Sequence, residues 1–283
     1  VKNLKDLKLP MLASVKLDGI YALIVDGVIY SRSFKPIKNK HVQKLFGNHD
    51  LNGLVGELVC GDVYAEDVFR QTTTATMAED GVNDVKLYVF DDWSVGDKPY
   101  QERYQHYQRR IKALNHGSIV ALEHNMLHTI DEVITALDKE QKRNGEGIIL
   151  RLPSAKWKNG RSTPKSQESV KLKFFEQQEY KIVDVVERMH NANEARVNEM
   201  GYTERSSHKD NMIPMNTFGA FVMELQDGRN FNVGSGLGLT DAVRKEIWNN
   251  RDKYIGKIAT VRQMKVGSKN GIPRLPTFVG LRD

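Results

Sequence analysis

The sequence predicts an α+β domain followed by a small all-β barrel. Three observations carry this. Over the first two-thirds, short apolar runs mix with a few helical patterns, without the strict alternation of a doubly wound fold. From about Tyr180 the texture changes to strands joined by tight turns. In several strands, ionisable residues fall on every second position with apolar residues between them, the period of a sheet with one chemical face.

In chain order, runs at 12–18, 20–25, 28–32, 54–60, 85–91, 119–123, 147–151 and 169–174 read as strands. The segments 38–46, 101–114 and 131–143 read as helices. The last carries Val133, Ile134 and Leu137, starts at Thr129 or Asp131, and ends by Gly145. A boundary near "FFEQQEY" divides the chain into domains 1–175 and 176–283. Beyond it, "YKIVDVVE", "AFVMELQDGRNFNVGSG", "KIATVRQM" and "PTFVGLRD" read as strands, with "QDGRN" a hairpin turn. One helix near 240–250 interrupts them. About five strands and one helix suit a closed barrel of the OB type. Residues 188–217 do not fit that barrel. This polar stretch exceeds an ordinary hairpin loop, and such inserts are usually functional or disordered. Its Arg196, Arg205, His208 and Lys209 could meet phosphates.

Composition narrows the class. The chain has 283 residues, 40% of them hydrophobic, enough for one large or two modest cores. It shows no apolar run long enough to span a bilayer, and "VKNLKDLKLP" has no signal-peptide apolar core. The single cysteine, Cys60, excludes an internal disulfide and a multi-cysteine zinc site. A reducing, cytoplasmic setting is expected, with Cys60 a buried structural thiol. The formal charge of +6 and pI near 9.2 favour an anionic partner. Two tracts free of acids, "SRSFKPIKNKHVQK" and "AKWKNGRSTPK", look like phosphate contacts.

The chemistry starts at "SVKLDGIY". A Lys-x-Asp-Gly should occur by chance in roughly one chain in twenty of this length, so Lys16 and Asp18 need company. They have it, in order. "GEL" places Glu57 mid-strand, and "LYVFDDW" ends a strand with Phe90. "GEGIILR" places Glu146 before a strand, with Arg161 ten residues past its end. "SVKLKFF" alternates Lys171 and Lys173 with Val170 and Leu172. Several strands thus present ionisable groups on one face, which reads as a cleft. Three lysines favour a polyphosphate, and carboxylates among them favour a divalent cation. Metal and neighbouring ammonium groups would depress one lysine's pKa and make it a nucleophile. An aromatic such as Phe90 can stack on a base. This describes a lysine attacking a nucleotide phosphate with pyrophosphate leaving. No G-x-x-x-x-G-K-[ST] is present, so it is not a P-loop enzyme.

The series KLDG, GEL, YVFD, EGIILR…GRS and SVKLK, followed by a barrel, resembles the covalent nucleotidyltransferases. It is most similar to the small ATP-dependent DNA ligases of bacteriophages and other viruses, over nearly the whole chain. The resemblance implies a nucleotidyltransferase domain and an OB barrel that use ATP with Mg²⁺ or Mn²⁺ to seal nicked duplex DNA, as in replication and repair. Lys16 is then the adenylated lysine, with Asp18 setting its environment. Glu57 and Glu146 would organise metal, Phe90 would stack on adenine, and Lys171 and Lys173 would hold the AMP phosphate. Arg32 of "SRSFK", with Lys35 in the same tract, would touch the nick 5′-phosphate, and Arg161 belongs to the nucleotide or nick contacts. Arg274 and Arg282, in "PRLPTFVGLRD", are alternatives for orienting pyrophosphate. The insert at 188–217 stands where some viral ligases carry a DNA latch. Only fifteen residues precede Lys16, so the grip on duplex, through Arg196, Arg205 and Lys209, is expected to come from within. A monomer is expected, in the host cytoplasm if viral.

One position departs from the family pattern. Lys-x-Asp-Gly-x-Arg is usual, and here the last residue is Tyr21, which carries no charge at pH 7. Arg32 or Arg161 would have to cover the loss, or nick binding would be weaker. The rival readings are an RNA ligase, an mRNA-capping guanylyltransferase, or a non-catalytic OB protein that only binds nucleic acid.

Overall fold

The computed structural model describes residues 3–269 and 271–282. Val1, Lys2 and Asp283, the end of the last expected strand, lie outside them. The chain divides into two compact units, Val1–Phe174 and Phe175–Asp283.

The first unit holds two sheets. The larger is five-stranded, in the order β3 (Val28–Ser31), β2 (Ile20–Val25), β4 (Leu54–Cys60), β5 (Val85–Asp92), β6 (Ile119–Ala121). One face buries Ala22, Ile24, Leu58 and Leu87 beneath α1 (Lys40–Phe46), α2 (Val68–Met77) and α3 (Tyr100–Leu114). The smaller sheet runs β7 (Asn125–Leu127), β1 (Met11–Val15), β8 (Gly147–Arg151), β9 (Ser169–Lys173). It packs Met11, Ile148, Leu150 and Val170 against Val133 of α4 (Ile130–Lys142). Thr129 starts α4 through a reciprocal capping box with Glu132.

Two expectations change here. Strand β1 stops at Val15, so Lys16 and Asp18 lie on the link to β2 rather than on a strand. Helix α2 had no counterpart among the expected elements. Its buried positions Val68, Thr72, Ala75 and Thr76 keep helical spacing, but two of the four are threonines. Their hydroxyls are satisfied locally: Cys60 N–H donates to Thr72 Oγ1 (2.9 Å) and Thr76 Oγ1 donates to the Thr72 carbonyl (2.8 Å). Cys60 is half-buried, with its thiol pushed up by that burial and by Asp84, which suits an unreactive structural group.

The second unit is the expected barrel. Its sheet order is β14 (Asn230–Val233), β13 (Met212–Glu224), β10 (Phe175–Asn191), β15 (Ile258–Lys269), β16 (Ile272–Leu281), and α5 (Asp241–Asn249) follows β14. A bridge between Gly236 and Phe278 joins the two edges and closes the barrel. Phe218, Phe221, Val233 and Val261 fill it.

The insert is shorter than 188–217. Strands β10 and β13 continue past the barrel and pair Met189 with Pro214 and Asn191 with Met212. Both arms are largely exposed, so they lack the apolar alternation that marks a strand. Only 192–211 is connection, with a small ribbon of β11 (Ala195–Val197) and β12 (Thr203–Arg205). No helix among the described residues is long and apolar enough to cross a membrane.

Candidate active site

The link after β1 is fixed from both sides. Lys16 N–H donates to the Gly147 carbonyl (2.9 Å), and Leu17 buries its side chain against Val59 and Leu122. Gly19 is required by close packing: a Cβ there would collide with the Leu58 carbonyl of β4 and press on Glu57. The glycine thus brings the Lys16 link against the strand that carries Glu57. Gly147 does the same for Glu146. Its φ is +140°, and a Cβ would collide with the Leu172 carbonyl of β9.

These contacts gather the charges. Glu146, buried just before β8, accepts from Lys16 Nζ through one oxygen and from Lys173 Nζ through the other (2.6 Å). On β9, Lys171 and Lys173 pair with Ile149 and Gly147 on the face opposite the buried Val170. Burial lowers the pKa of Lys171 first, and Arg32, Lys16 and Lys173 lower it further. Across the cleft, burial pushes the Glu57 carboxyl up to about 7, against the pull of Lys16 and Arg32. Glu146 and Asp18 push it the same way as burial. The structure therefore brings Lys16, Glu57, Glu146, Lys171, Lys173 and Arg32 into one field of mutual influence, and Asp18 belongs to it.

Phe90, on β5, has the Arg151 guanidinium over its ring at 4.8 Å, and Tyr100 lies beyond Arg151 at 5.0 Å. Tyr100 OH donates to the Phe90 carbonyl (2.7 Å). Arg103 grips the adjacent Asp91 through Nε (2.7 Å) and a terminal nitrogen (3.1 Å). The sequence places Arg151 at the end of a strand but gives no role to Arg151, Tyr100 or Arg103. The "R" closing "GIILR" was the one available signal.

Arg32 sits on a tight turn. Phe34 N–H donates to the Ser31 carbonyl (3.0 Å), Ser31 Oγ donates to the Lys35 carbonyl (3.0 Å), and Phe34 stacks on Tyr30 at 4.5 Å. Lys35 is exposed on that turn, and Arg161 is exposed on the β8–β9 loop. The two tracts free of acids in sequence meet acids in the fold: Lys40 pairs with Glu79 (2.9 Å) and Asp80 (3.0 Å), and Lys158 with Glu168 (3.1 Å).

In the second unit, Arg274 stands half-buried on β16 opposite Met264. Arg282 is ion-paired with Glu179. Arg196 is exposed beside Glu194 (3.5 Å), and Lys209 begins a short 3₁₀ turn. Arg205 donates to the Asn193 carbonyl. Asn193 is the buried exception in this exposed segment, and its amide donates to the Ser206 and His208 carbonyls (3.0 and 2.9 Å).

A family model described as ATP dependent DNA ligase domain matches residues 2–173. The chain belongs to the ATP-dependent DNA ligase family. A second model, DNA ligase OB-like domain, matches residues 214–282. Among solved structures, a Chlorella virus DNA ligase-adenylate is similar over 100% of this chain and 95% of its own, at 27% identity and a TM-score of 0.56. A structure of Lig E DNA ligases, described as DNA binding with a minimal scaffold, shares the fold at 20% identity. It covers 97% of this chain and 94% of its own, with a TM-score of 0.72. The comparison with curated proteins gave no match. The chain is a ligase that uses ATP, as the ordered motifs implied.

Proposed function

We propose that this ligase seals nicks in duplex DNA with Lys16 as the adenylated residue. The observation that carries this is the Glu146 carboxylate, which receives both Lys16 and Lys173 between two sheets that also bring Glu57, Lys171 and Arg32. Lys16 Nζ, once deprotonated, attacks the α-phosphorus of ATP. A P–N bond forms, the bond to pyrophosphate breaks, and Lys171 and Lys173 offset charge on the transferring phosphoryl. AMP then passes to the 5′-phosphate of the nick, near Arg32 and Lys35. The 3′-hydroxyl displaces it and closes the strand. Phe90 stacks on adenine, backed by Arg151, and Arg161 serves the nucleotide or nick.

The donor set suits Mg²⁺ or Mn²⁺ held partly by substrate. Among the described residues no group of three or more His, Cys, Asp or Glu could form an all-protein cage. Magnesium characteristically uses one or two carboxylates plus phosphate oxygens. Glu57 and Glu146 would hold it, and it would neutralise charge on the triphosphate. In the barrel, Arg274 or Arg282 orients pyrophosphate, and Arg282 must first leave Glu179. The ribbon at 192–211 grips duplex through Arg196, Arg205 and Lys209, and the enzyme acts as a cytoplasmic monomer.

Incubation with α-labelled ATP and Mg²⁺, without DNA, is expected to leave label on the protein in a denaturing gel. Label should be absent from Lys16→Ala and should chase off on nicked DNA. An unlabelled band from protein freed of bound AMP overturns the assignment. Replacing residues 194–205 by a short turn should weaken nick binding and spare labelling. Loss of labelling as well would make the ribbon structural.

A further inference from the structure

The face of the larger sheet that carries Glu57 and Phe90 also carries Tyr21. Tyr21 pairs with Glu57 between β2 and β4. On the other side, Ala22 and Ser31 are the last residues paired between β2 and β3, so Tyr21 and Arg32 come opposite one another one step further on. The Arg32 guanidinium lies over the Tyr21 ring, 5.0 Å from its centroid. The ring meets Phe90 at 6.1 Å with planes tilted by 47°. Burial pushes the Tyr21 hydroxyl up to about 12, so the ring is neutral at physiological pH and free of a competing charge.

A flat aromatic between a guanidinium and a second ring holds the cation by its face without neutralising it. Arg32 stands on a turn, where an unsupported arginine would sample many rotamers and lose entropy on binding. The turn fixes its backbone, and the only ring placed against its guanidinium among the described residues is Tyr21. A carboxylate at position 21 would also hold Arg32, but it would cancel the charge that a phosphate needs.

We propose that Tyr21 is a positioning residue that presents Arg32 to the 5′-phosphate of the nick, its ring braced in turn by Phe90. This rests on the reading of Arg32 given above. The ring replaces charge with placement: one cation held in register stands where the family pattern has an arginine at position 21 itself.

The test uses the full-length, pre-adenylated enzyme and nicks that cannot be sealed, carrying either a 5′-phosphate or a 5′-hydroxyl. Tyr21→Leu should weaken binding of the 5′-phosphate nick about two- to fivefold, the range of a cation–π contact whose cation is exposed, as Arg32 is. It should leave the 5′-hydroxyl nick unchanged. Tyr21→Phe keeps the ring and should bind like the parent, which separates the proposal from a general loss of fold. In an Arg32→Ala background, Tyr21→Leu should cost nothing further, because both changes remove one interaction. Equal weakening on both nicks, or losses that multiply with Arg32→Ala, overturn the proposal. If Arg32→Ala alone binds both nicks as the parent does, the reading of Arg32 fails and the proposal falls with it.

Discussion

Two buried charge clusters lie within the same domain and are built for opposite ends. In one, Asp91 meets Arg103, with side chains only 2% and 3% exposed. Both carboxylate oxygens are engaged by the guanidinium fork, and the remaining nitrogen donates to the carbonyls of Lys98 (2.7 Å) and Ala155 (2.9 Å). In the other, Glu146 is 2% exposed, but its partners Lys16 and Lys173 are 14% and 24% exposed. Lys16 Nζ also donates to the Leu17 carbonyl (3.4 Å), and both lysine side chains keep part of their surface exposed. The arginine fork is rigid and always charged, whereas lysine is a point charge on a flexible stem that can shed its proton. The closed cluster fixes the strand that bears Phe90. The open one holds Lys16, the proposed nucleophile, near its counter-ion.

Cutting each cluster should therefore break different things. Arg103→Met leaves the buried Asp91 with Arg151 (3.7 Å) and the Asp92 N–H (2.8 Å), so the loss should fall near the low end for breaking a buried pair, about 3 kcal/mol. Urea denaturation should show that loss as a lower midpoint with an unchanged slope. An unchanged midpoint would mean that Asp91 finds water or another partner. Lys173→Met should cost less, about 1–2 kcal/mol, because the lysine is partly exposed and Glu146 keeps Lys16. It should slow lysine adenylation by roughly 10²–10³-fold, the usual cost of losing one donor to developing charge. The variants differ in which assay fails. A Lys173→Met enzyme that unfolds early while adenylating normally would reverse the assignment of the two clusters.

The same contrast marks what the sequence made legible. Lys171 and Lys173 stood out by strand period, Glu57 by its place mid-strand, and Lys16 and Glu146 by the order of the motifs. What it concealed depends on burial. Arg103 lies on a helix rich in charged and polar residues, and only the fold shows it turned inward against Asp91. Arg151 looked like the end of a strand, and its place between Phe90 and Tyr100 needs two sheets to be seen. Helix α2 was hidden by threonines whose hydroxyls are satisfied by local bonds. The exposed arms of β10 and β13 were read as loop because an exposed hairpin has no apolar face to betray it. The expectation of Lys16 on a strand failed by a few residues, since pairing stops where Gly19 must press against β4.

Beneath the closed cluster, His124 offers a finer test of how far that interior is sealed. Its Nε2 lies 2.9 Å from Tyr100 OH, and Nδ1 lies 3.0 Å from the Leu122 carbonyl. Burial, with Arg151 close by, lowers its pKa to about 3. Between pH 6.5 and 3 the unfolded chain carries this proton and the folded chain does not. Acid therefore favours unfolding by about 1.4 kcal/mol per pH unit in that window, or about 2 kcal/mol by pH 5. Glu57 acts with the opposite sign. Its carboxyl is raised to about 7, so from pH 7 down to the ordinary carboxylate range the folded chain takes up the proton first, and acid favours folding. The sum hides both, but a variant isolates one. His124→Gln keeps polar atoms for Tyr100 and removes the titration, so its stability should fall by about 2 kcal/mol less than the parent's between pH 7 and 5. Parallel curves for the two proteins would mean that water or a shift of the tyrosines lets His124 take up its proton in place, and that this cluster is less closed than its distances imply.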